Sequence, residues 1–313
     1  MAVKIALALG GGAARGLAHL GVLQVFEDEG IPVQMITGTS LGGMVGGLYA
    51  LRPDARHWMV EVDRFLRSFR ARRTQLEFLR RLDEHDEKEG FFSDMAHLLR
   101  KGYYWGVTVT KSAFISPEEY RQFINPLIPD MNIEELSIPF ACVATDIRNG
   151  KRVVFQKGSL RHAISASSAL PGVFPPVTDG NQLLVDGGWV ERVPIQCAFD
   201  LGAQAVIAVD VSGDLVDFSE SSGLDIIMRA DAVTRVYLNE IMLAQADLVL
   251  HPAVNDIHWA DFSNPTALYA RGEEAARNQL QQIRLLHQHA DFPRSGLLGQ
   301  IRGIKERLAR LMG

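Results

Sequence analysis

Cysteine is scarce in this sequence: its 313 residues include only Cys142 and Cys197. Each of the two lies in an apolar stretch, so we expect two free, buried thiols. This scarcity excludes the disulfide-rich scaffolds of small secreted proteins and indicates a reducing compartment.

Long apolar runs are also absent. No run approaches the roughly 18 residues that a membrane-spanning helix needs. The apolar run near the N-terminus is too short for the core of a secretory signal, because a glycine cluster interrupts it from residue 10 onwards. We therefore expect a cytoplasmic protein that touches a membrane at most from one side, as a peripheral protein does.

An excess of basic residues is the third absence. The chain has 32 Lys and Arg against 37 Asp and Glu, which gives a formal net charge of -5. Nucleic-acid binding needs a basic surface, so nucleic acid is excluded as an expected partner. Hydrophobic residues make up 47% and charged residues 22% of the chain, as is typical of a globular protein.

Short aliphatic or β-branched runs alternate with segments of helical period, which is typical of an α/β sheet with crossover helices. The runs predict strands at residues 4–9, 33–37, 140–146, 152–156, 183–186, 205–211 and 248–251. Helical period predicts helices at residues 17–29, 42–51, 117–123, 224–246 and 266–289. Asn149-Gly150 is typical of a tight hairpin turn between two strands, so we expect a mixed sheet.

The pattern changes after Asp54, where a charged segment begins. Seven arginines fall between Arg64 and Arg81, and five acids fall between Asp83 and Glu89. No linker or internal repeat divides the chain. We therefore predict one domain over residues 1–290 with a helical insertion at about 54–101. The insertion is either a solvated surface element or a cap over the active site.

The last segment, residues 291–313, is predicted to be an amphipathic tail. From Leu297 onwards one apolar stripe follows helical spacing, and four basic residues against one acidic residue give this stretch a net charge of +3; the stripe is Leu297, Ile301, Ile304, Leu308 and Leu311. Such a helix can lie among anionic lipid headgroups, or it can pack on the domain or on a second subunit. The sequence leaves these alternatives, and the oligomeric state, open.

A G-x-S-x-G sequence at residues 38–42 lies between the second predicted strand and the helix that follows at once. A sharp strand-to-helix turn holds the serine in a strained conformation with its hydroxyl exposed. The flanking Gly38 and Gly42 permit close approach of other backbone, and the helix dipole places partial positive charge near the serine. Ser40 is therefore the candidate nucleophile.

A glycine-rich loop at residues 10–16 follows the first strand and opens the first helix. Several backbone N–H groups can converge in such a loop, which suits an anion or an oxyanion. The dinucleotide pattern G-x-G-x-x-G fails here in both registers, and no Gly-Lys-Ser/Thr of a P-loop follows. An oxyanion hole for acyl transfer is the better interpretation.

A nucleophilic serine needs a base, and three predicted strands end in aspartate. Asp186 is followed by two glycines, which leave room for the nucleophile and the substrate, so it is the candidate base. Asp146 and Asp210 are interpreted as turn caps. His251 follows Asp186 in the Ser-Asp-His order of an α/β-hydrolase, but Ser40 follows only the second strand, whereas the nucleophile of that fold follows several.

Three motifs together resemble those of the patatin-like phospholipases, especially the small bacterial members related to neuropathy target esterase. They are GGGAARG after the first strand, GTSLGG after the second, and DGG after PGVFPPV. The resemblance implies a three-layer α/β/α sandwich around a mixed sheet and a Ser40–Asp186 dyad that hydrolyses lipid acyl esters. It places Gly11, Gly12 and Ala13 on the oxyanion loop. The supporting motif positions are Gly10, Arg15, Gly16, Gly38, Gly42, Gly187 and Gly188.

The resemblance further implies an acyl-enzyme mechanism that needs no metal and no cofactor, acting on a phospholipid or a lysophospholipid. Ala13 departs from the glycine that many relatives carry there; its N–H donor is retained, but its Cβ restricts φ. Two alternatives stay open at this point. The chain could be a non-enzymatic lipid-binding regulatory protein, or an α/β-hydrolase esterase with a Ser-Asp-His triad that uses His251.

Overall fold

A central sheet of eight strands organises the chain, of which this computed structural model describes residues 4–70, 106, 110–215 and 223–288. The strands are β1 (Ile5–Leu9), β2 (Met35–Thr39), β3 (Phe140–Asp146), β4 (Lys151–Phe155), β5 (Val177–Asp179), β6 (Gln182–Asp186), β7 (Ala205–Val209) and β8 (Leu248–Leu250). The helices are α1 (Ala18–Asp28), α2 (Leu41–Leu51), α3 (Ala55–Arg70), α4 (Pro117–Ile124), α5 (Leu160–Ser167), α6 (Ile195–Asp200), α7 (Gly223–Leu243), α8 (Pro265–Asn278) and α9 (Leu280–Gln288). Short 3-10 turns cover Ala13–Leu17, Ile133–Glu135 and Gly187–Trp189.

Helices cover both faces of this sheet. In β1 the large side chains of Ile5, Leu7 and Leu9 enter one core cluster, while Ala6 and Ala8 enter another on the opposite face. This alternation follows from the two-residue period of a strand. The first cluster includes side chains from α1 to α5, α8 and α9, and the second includes side chains from α6 and α7. The predicted three-layer α/β/α sandwich is therefore confirmed.

Strands β2 and β6 pair with the same edge of β3 and meet end to end there. Cys142 of β3 pairs with Gly38 of β2 and with Phe155 of β4, whereas Ala144 pairs with Asp186 of β6 and again with β4. A strand has only two lateral neighbours, so β2 and β6 occupy the same edge, one after the other. β2 runs parallel to β3 and β6 runs antiparallel to it, so their carboxyl ends face each other.

The predicted strands are all present, and the mixed sheet is confirmed by the antiparallel β3–β4 pair. The predicted turn joins that pair, and Gly150 adopts a φ of 62° there. The prediction of one helix at 266–289 was wrong: it divides into α8 and α9 at Gln279, whose side chain donates a hydrogen bond to the Val249 carbonyl (3.0 Å). β5, α5 and α6 had no counterpart in the prediction.

The first part of the predicted insertion is α3, which packs on the domain. Its Trp58, Val62 and Leu66 are buried in the main core cluster. Residues 71–101 of the insertion and the whole tail at 291–313 lie outside the described residues. Within the described residues, no helix combines the length and the apolar character that crossing a bilayer would require.

Candidate active site

Ser40 occupies a strained turn between β2 and α2. Its backbone has φ 56° and ψ −128°, and its side chain is half-buried at the carboxyl edge of the sheet. A non-glycine residue with positive φ is uncommon and is typical of functional sites. The turn therefore has the form of the nucleophile elbow that the G-x-S-x-G sequence predicts.

Close backbone packing and one side chain hold this turn. A Cβ added to Gly42 would lie 2.2 Å from the Leu9 carbonyl oxygen, so only glycine lets α2 approach β1 this closely. Gly38 packs in the same way against the first turn of α2. The Ser40 N–H donates to Ser167 Oγ (2.9 Å), and that hydroxyl donates to the Val143 carbonyl (2.6 Å). No motif in the sequence indicates this role for Ser167.

Asp186 ends β6 opposite Ser40, with only 4% of its surface exposed. Its Oδ1 accepts the Gly188 N–H (2.8 Å), and its own N–H donates to the Ala169 carbonyl (2.9 Å). A Cβ on Gly187 would lie 2.3 Å from the Val143 carbonyl oxygen, so this glycine lets the turn pass close to β3. The structure thus brings together the two residues that the sequence analysis selected.

Burial raises the pKa of the Asp186 carboxyl above its ordinary value. A hydrogen bond from the Ser40 side chain, the Gly188 N–H and the positive charges of Arg192 and Arg235 oppose this rise. The carboxyl is consequently a stronger base than an exposed aspartate while still being able to ionise. This is the property that a general base for a serine hydroxyl needs.

The glycine-rich loop surrounds Ser40 from the β1 side. Gly11 packs against Ser40, and a Cβ on Gly11 would lie 3.2 Å from the Ser40 Cβ. The Gly10 and Gly11 N–H groups are used in backbone hydrogen bonds, to Val209 and Arg192 respectively. In the described part of the chain, the N–H groups of Gly12 and Ala13 have no such partner. They are the loop donors still available to an anion.

Ala13 and the residues after it fix the end of the loop. Ala13 has a φ of 48°, a left-handed conformation that glycine adopts more readily. The Arg15 guanidinium lies against Gly213 and donates through Nε to the Ile257 carbonyl (2.7 Å), and burial lowers its pKa. Gly16 packs on the side chain of Leu41 at the start of α2.

His19 of α1 contacts the glycine-rich loop through its ring. Its ring is fully buried, and Nε2 lies 2.8 Å from the Gly10 carbonyl oxygen. Burial lowers the pKa of His19 to about 4, so the ring is neutral at physiological pH. A neutral imidazole with Nε2 protonated donates to Gly10 and anchors the loop beside Ser40. No sequence motif indicates this contact, because His19 lies inside a helix and outside the glycine motif.

The remaining strand-end carboxylates have other partners. Asp146 accepts the N–H groups of Arg148 (3.1 Å) and Leu183 (3.2 Å), and Asp210 accepts the Ser212 N–H (3.0 Å), so both cap turns. His251 Nδ1 lies 3.7 Å from Asp210, and 58% of its side chain is exposed. No hydrogen bond or ion pair among the described residues links His251 to Ser40 or Asp186. The arrangement therefore does not favour the triad alternative.

An ion pair secures the turn after Asp186. Glu191 is fully buried; its Oε2 accepts from Arg152 Nη1 (2.7 Å), and its Oε1 accepts from the Cys197 N–H (3.0 Å). The Glu191 carbonyl also accepts the Thr39 hydroxyl (2.8 Å), which joins this turn to the end of β2. These contacts fix the position of Asp186 relative to Ser40. Residues this far apart in sequence give no local pattern from which these contacts could be predicted.

An apolar cleft lies beside the turn that carries Ser40. It encloses about 340 Å³ of space, its open mouth included, and only apolar side chains line it. Leu41, the residue after Ser40, is one of its walls, and Val62, Phe65 and Leu66 of α3 with Phe123 of α4 are others. Its wholly apolar lining is of the kind that contacts a hydrocarbon chain.

The family model for patatin-like phospholipases matches residues 7–199, which include the glycine loop, the turn of Ser40 and Asp186. The chain belongs to the patatin-like phospholipase family. The resemblance inferred from the three motifs is therefore confirmed. Within the described part of this patatin-like chain, no group of three or more His, Cys, Asp or Glu side chains is arranged to hold a metal ion.

Relatives place this patatin-like chain near the proteins named NTE. It is 35% identical over 232 residues to a patatin-like phospholipase domain-containing protein of Caenorhabditis elegans, and 35% identical over 217 residues to the lysophospholipase NTE1 of Mycosarcoma maydis. It is 32% identical over 212 residues to an uncharacterised NTE family protein of Mycobacterium bovis. These matches cover 72%, 69% and 67% of the chain but only 15%, 10% and 49% of the relatives. The chain thus spans half or less of these proteins.

Proposed function

We propose that the chain is a serine lipid acyl hydrolase of phospholipase or lysophospholipase type, with Ser40 as nucleophile and Asp186 as its base. The observation that carries the proposal is the meeting of these residues: Ser40, in a strained turn after β2, lies beside the buried carboxyl at the end of β6, close enough for its side chain to lower the pKa of that carboxyl. A nucleophile within reach of a base of raised pKa is the arrangement of covalent acyl transfer. The name lysophospholipase of one relative supports the substrate class.

The reaction begins when Ser40 Oγ attacks the ester carbonyl carbon and passes its proton to Asp186. The carbonyl oxygen becomes an oxyanion, which the N–H groups of Gly12 and Ala13 stabilise, each contributing about 3 kcal/mol. The bond to the leaving alcohol then breaks. Asp186 returns its proton to the departing oxygen, and an acyl-enzyme on Ser40 remains.

Water completes the cycle. Asp186, again ionised, takes a proton from a water molecule that attacks the acyl carbonyl carbon. The same N–H groups stabilise the second oxyanion. The bond to Ser40 Oγ breaks, the serine recovers its proton from Asp186, and the fatty acid leaves.

The apolar cleft suits the acyl chain of such a substrate. Its wall at Leu41 adjoins the nucleophile, so an ester bound to Ser40 could extend its hydrocarbon chain directly between α2 and α3. In this proposal α3, the first helix of the predicted insertion, is the cap over the acyl chain. Its Val62, Phe65 and Leu66 face the cleft.

Hydrolysis of a lysophospholipid by purified protein tests the proposal. Ser40→Ala and Asp186→Asn should each lower kcat/KM by more than about a thousandfold, and the double variant should be little slower than either, because the two residues act as one unit. Melting temperatures should stay close to that of the wild type. Ser68→Ala, which removes an exposed hydroxyl from α3, is the matched control and should retain full activity.

Two outcomes would contradict the proposal. One is turnover by Ser40→Ala comparable to that of Ser68→Ala, which would show that Ser40 is not the nucleophile. The other is a wild-type protein that binds the lipid without cleaving it, which would favour a non-enzymatic lipid-binding protein instead.

A further inference from the structure

Arg192 lies between the glycine loop and the turn that follows Asp186. Its carbonyl accepts the Gly11 N–H (3.0 Å), and its side chain is half-buried. Among the described residues, no carboxylate forms an ion pair with its guanidinium. The charges that act on it are those of Arg235 and Arg15, which repel it, and those of Asp210 and Asp186, which attract it. The half-buried guanidinium of Arg192 thus has no direct counter-ion among the described residues.

Arg235 of α7 reaches the same place from the other layer of the sandwich. Its Nε donates to Asp231 (2.8 Å), and its Cζ lies 4.8 Å from the centre of the Trp189 ring. Trp189 ends the 3-10 turn that begins directly after Asp186. Stacking on the ring and the bond through Nε fix the plane of the guanidinium. Within the described part of the chain its two terminal nitrogens form no hydrogen bond, so they remain available.

Two neighbouring guanidinium groups in a partly buried site repel each other and lose hydration. Burial and the charge of Arg235 both lower the pKa of Arg192, as expected when its charged form is unfavourable at this position. An anion bound between the two guanidinium groups would stabilise their charged forms. A guanidinium offers paired N–H donors that match the oxygens of a phosphate group, which makes arginine pairs suited to phosphate esters.

We infer that Arg192 and Arg235 form a subsite for the phosphodiester group of the lipid whose ester Ser40 cleaves. The inference rests on the proposed function and specifies its substrate as an anionic phosphate ester. The apolar cleft lies between α2, α3 and α4 on one side of the sheet, and Arg235 belongs to α7 on the other. The acyl chain and the headgroup of one lipid would therefore extend to opposite sides of Ser40.

Paired substrates test the inference. The kcat/KM for a lysophosphatidylcholine is compared with that for a monoacylglycerol of the same acyl chain, both below their micelle concentrations. The assay pH lies on the plateau where Asp186 is ionised. Arg192→Met and Arg235→Met should each lower the value for the phospholipid at least about tenfold and that for the uncharged ester less than about twofold. Arg192→Lys should lose less activity on the phospholipid than Arg192→Met, since lysine keeps the positive charge but lacks the paired N–H donors of a guanidinium.

Arg284→Met is the matched control, because it removes the same charge from a 51% exposed side chain of α9. It should leave both substrates unaffected. Equal losses on the two esters in Arg192→Met and Arg235→Met would overturn the inference, since the arginines would then only support the fold of the site.

A binding measurement separates failure of the subsite from failure of the proposed function. Protection against thermal unfolding by glycerophosphocholine should be lost in Arg192→Met, whether or not the wild type hydrolyses either ester. Protection that persists in this variant would overturn the subsite and leave the proposed function untouched. Inorganic phosphate is the second probe. If phosphate protects through Arg192 and glycerophosphocholine does not, the arginines bind a free anion and the inference is wrong.

Discussion

Two residues of the site carry backbone strain. Among the described residues other than glycine, only Ala13 of the glycine loop and Ser40 of the turn after β2 have positive φ. Each such conformation costs about 1–3 kcal/mol and persists only where surrounding contacts enforce it. For Ser40 these contacts are the Ser167 hydroxyl and the close packing of Gly42 on β1. These contacts thus hold Ser40 in its strained conformation beside Asp186.

The pH dependence of the reaction should report Asp186. The carboxyl must be ionised to take the proton of Ser40, so kcat/KM falls as the pH drops through its pKa. Because burial raises that pKa, the acid limb of the profile should lie above 3.8, the ordinary value for aspartate. A soluble nitrophenyl ester, assayed from acid to neutral pH, gives the profile without complications from lipid aggregation.

Variants at two carboxylates sharpen this measurement. Asp186→Asn should abolish the limb together with the activity, whereas Glu118→Gln, at an exposed position of α4, should leave both unchanged. A limb at or below 3.8 would contradict a buried base. So would a limb that persists in the residual activity of Asp186→Asn.

Residues in motifs could be predicted, and residues that act through long-range contacts could not. Ser40 and the glycine loop stand in local patterns whose strand and helix contexts can be read directly. Asp186 was selected because it ends a strand and precedes two glycines. Ser167 and Arg192 belong to no comparable pattern; their roles depend on contacts with Ser40 and Gly11, which only the folded chain brings close.

The geometry of the site follows from how β2 and β6 share one edge of β3. Their carboxyl ends meet, which brings the residue after β2 to the last residue of β6. The buried pair of Glu191 and Arg152 maintains this junction, because it ties the turn after β6 to β4. Arg152 also contacts Asp200 at the end of α6.

Removing the cation of this pair should destabilise the protein strongly. Arg152→Met leaves the fully buried Glu191 carboxylate without its partner, which should lower the free energy of unfolding by about 3 kcal/mol at neutral pH. Burial already raises the pKa of Glu191 and Arg152 opposes that rise, so the substitution raises the pKa further. A carboxyl with a raised pKa in the folded state stabilises the fold at low pH, and that stabilisation is lost as the pH rises. The loss of stability in Arg152→Met, relative to the wild type, should therefore be larger at neutral pH than in mild acid.

Denaturant unfolding at two pH values checks this expectation. The double variant Arg152→Met, Glu191→Gln should be more stable than Arg152→Met alone, because no buried charge then remains. An Arg152→Met protein as stable as the wild type would mean that the pair does not secure the junction. A stability difference between wild type and Arg152→Met that becomes smaller as the pH rises would contradict an unpaired Glu191 carboxylate as its cause.

Element length limited which parts of the fold could be predicted. The parallel strands β1, β2, β3 and β7 and the helices α1, α2 and α7 are long enough to show their periods in the sequence. The shorter β8 and α4 could still be predicted, β8 from its apolar run and α4 from its helical pattern. β5 has three residues, and α5 and α6 have eight and six, so tertiary contacts rather than periodicity stabilise them. The break between α8 and α9 is also tertiary, since the side chain of Gln279 bonds to β8.

In the whole molecule, the two faces of the sheet differ in chemistry. The face with the large side chains of β1 packs the helices that line the apolar cleft, while α7, on the opposite face, carries Arg235 to the site. In the proposed function, Ser40 lies between the apolar cleft and the two arginines, an arrangement that would suit a lipid with one acyl chain and one phosphate. The amphipathic tail at 291–313, outside the described residues, stays a prediction of membrane or subunit contact.

Covalent labelling of Ser40 tests the central claim most directly. A fluorophosphonate probe reacts with serines that a neighbouring base activates, and peptide mass spectrometry locates the modified residue. We expect one labelled peptide, modified at Ser40, and loss of labelling in Ser40→Ala and in Asp186→Asn but not in Ser68→Ala. Labelling at another serine, or undiminished labelling of Ser40 in Asp186→Asn, would contradict the assignment of Ser40 and Asp186 as a catalytic dyad.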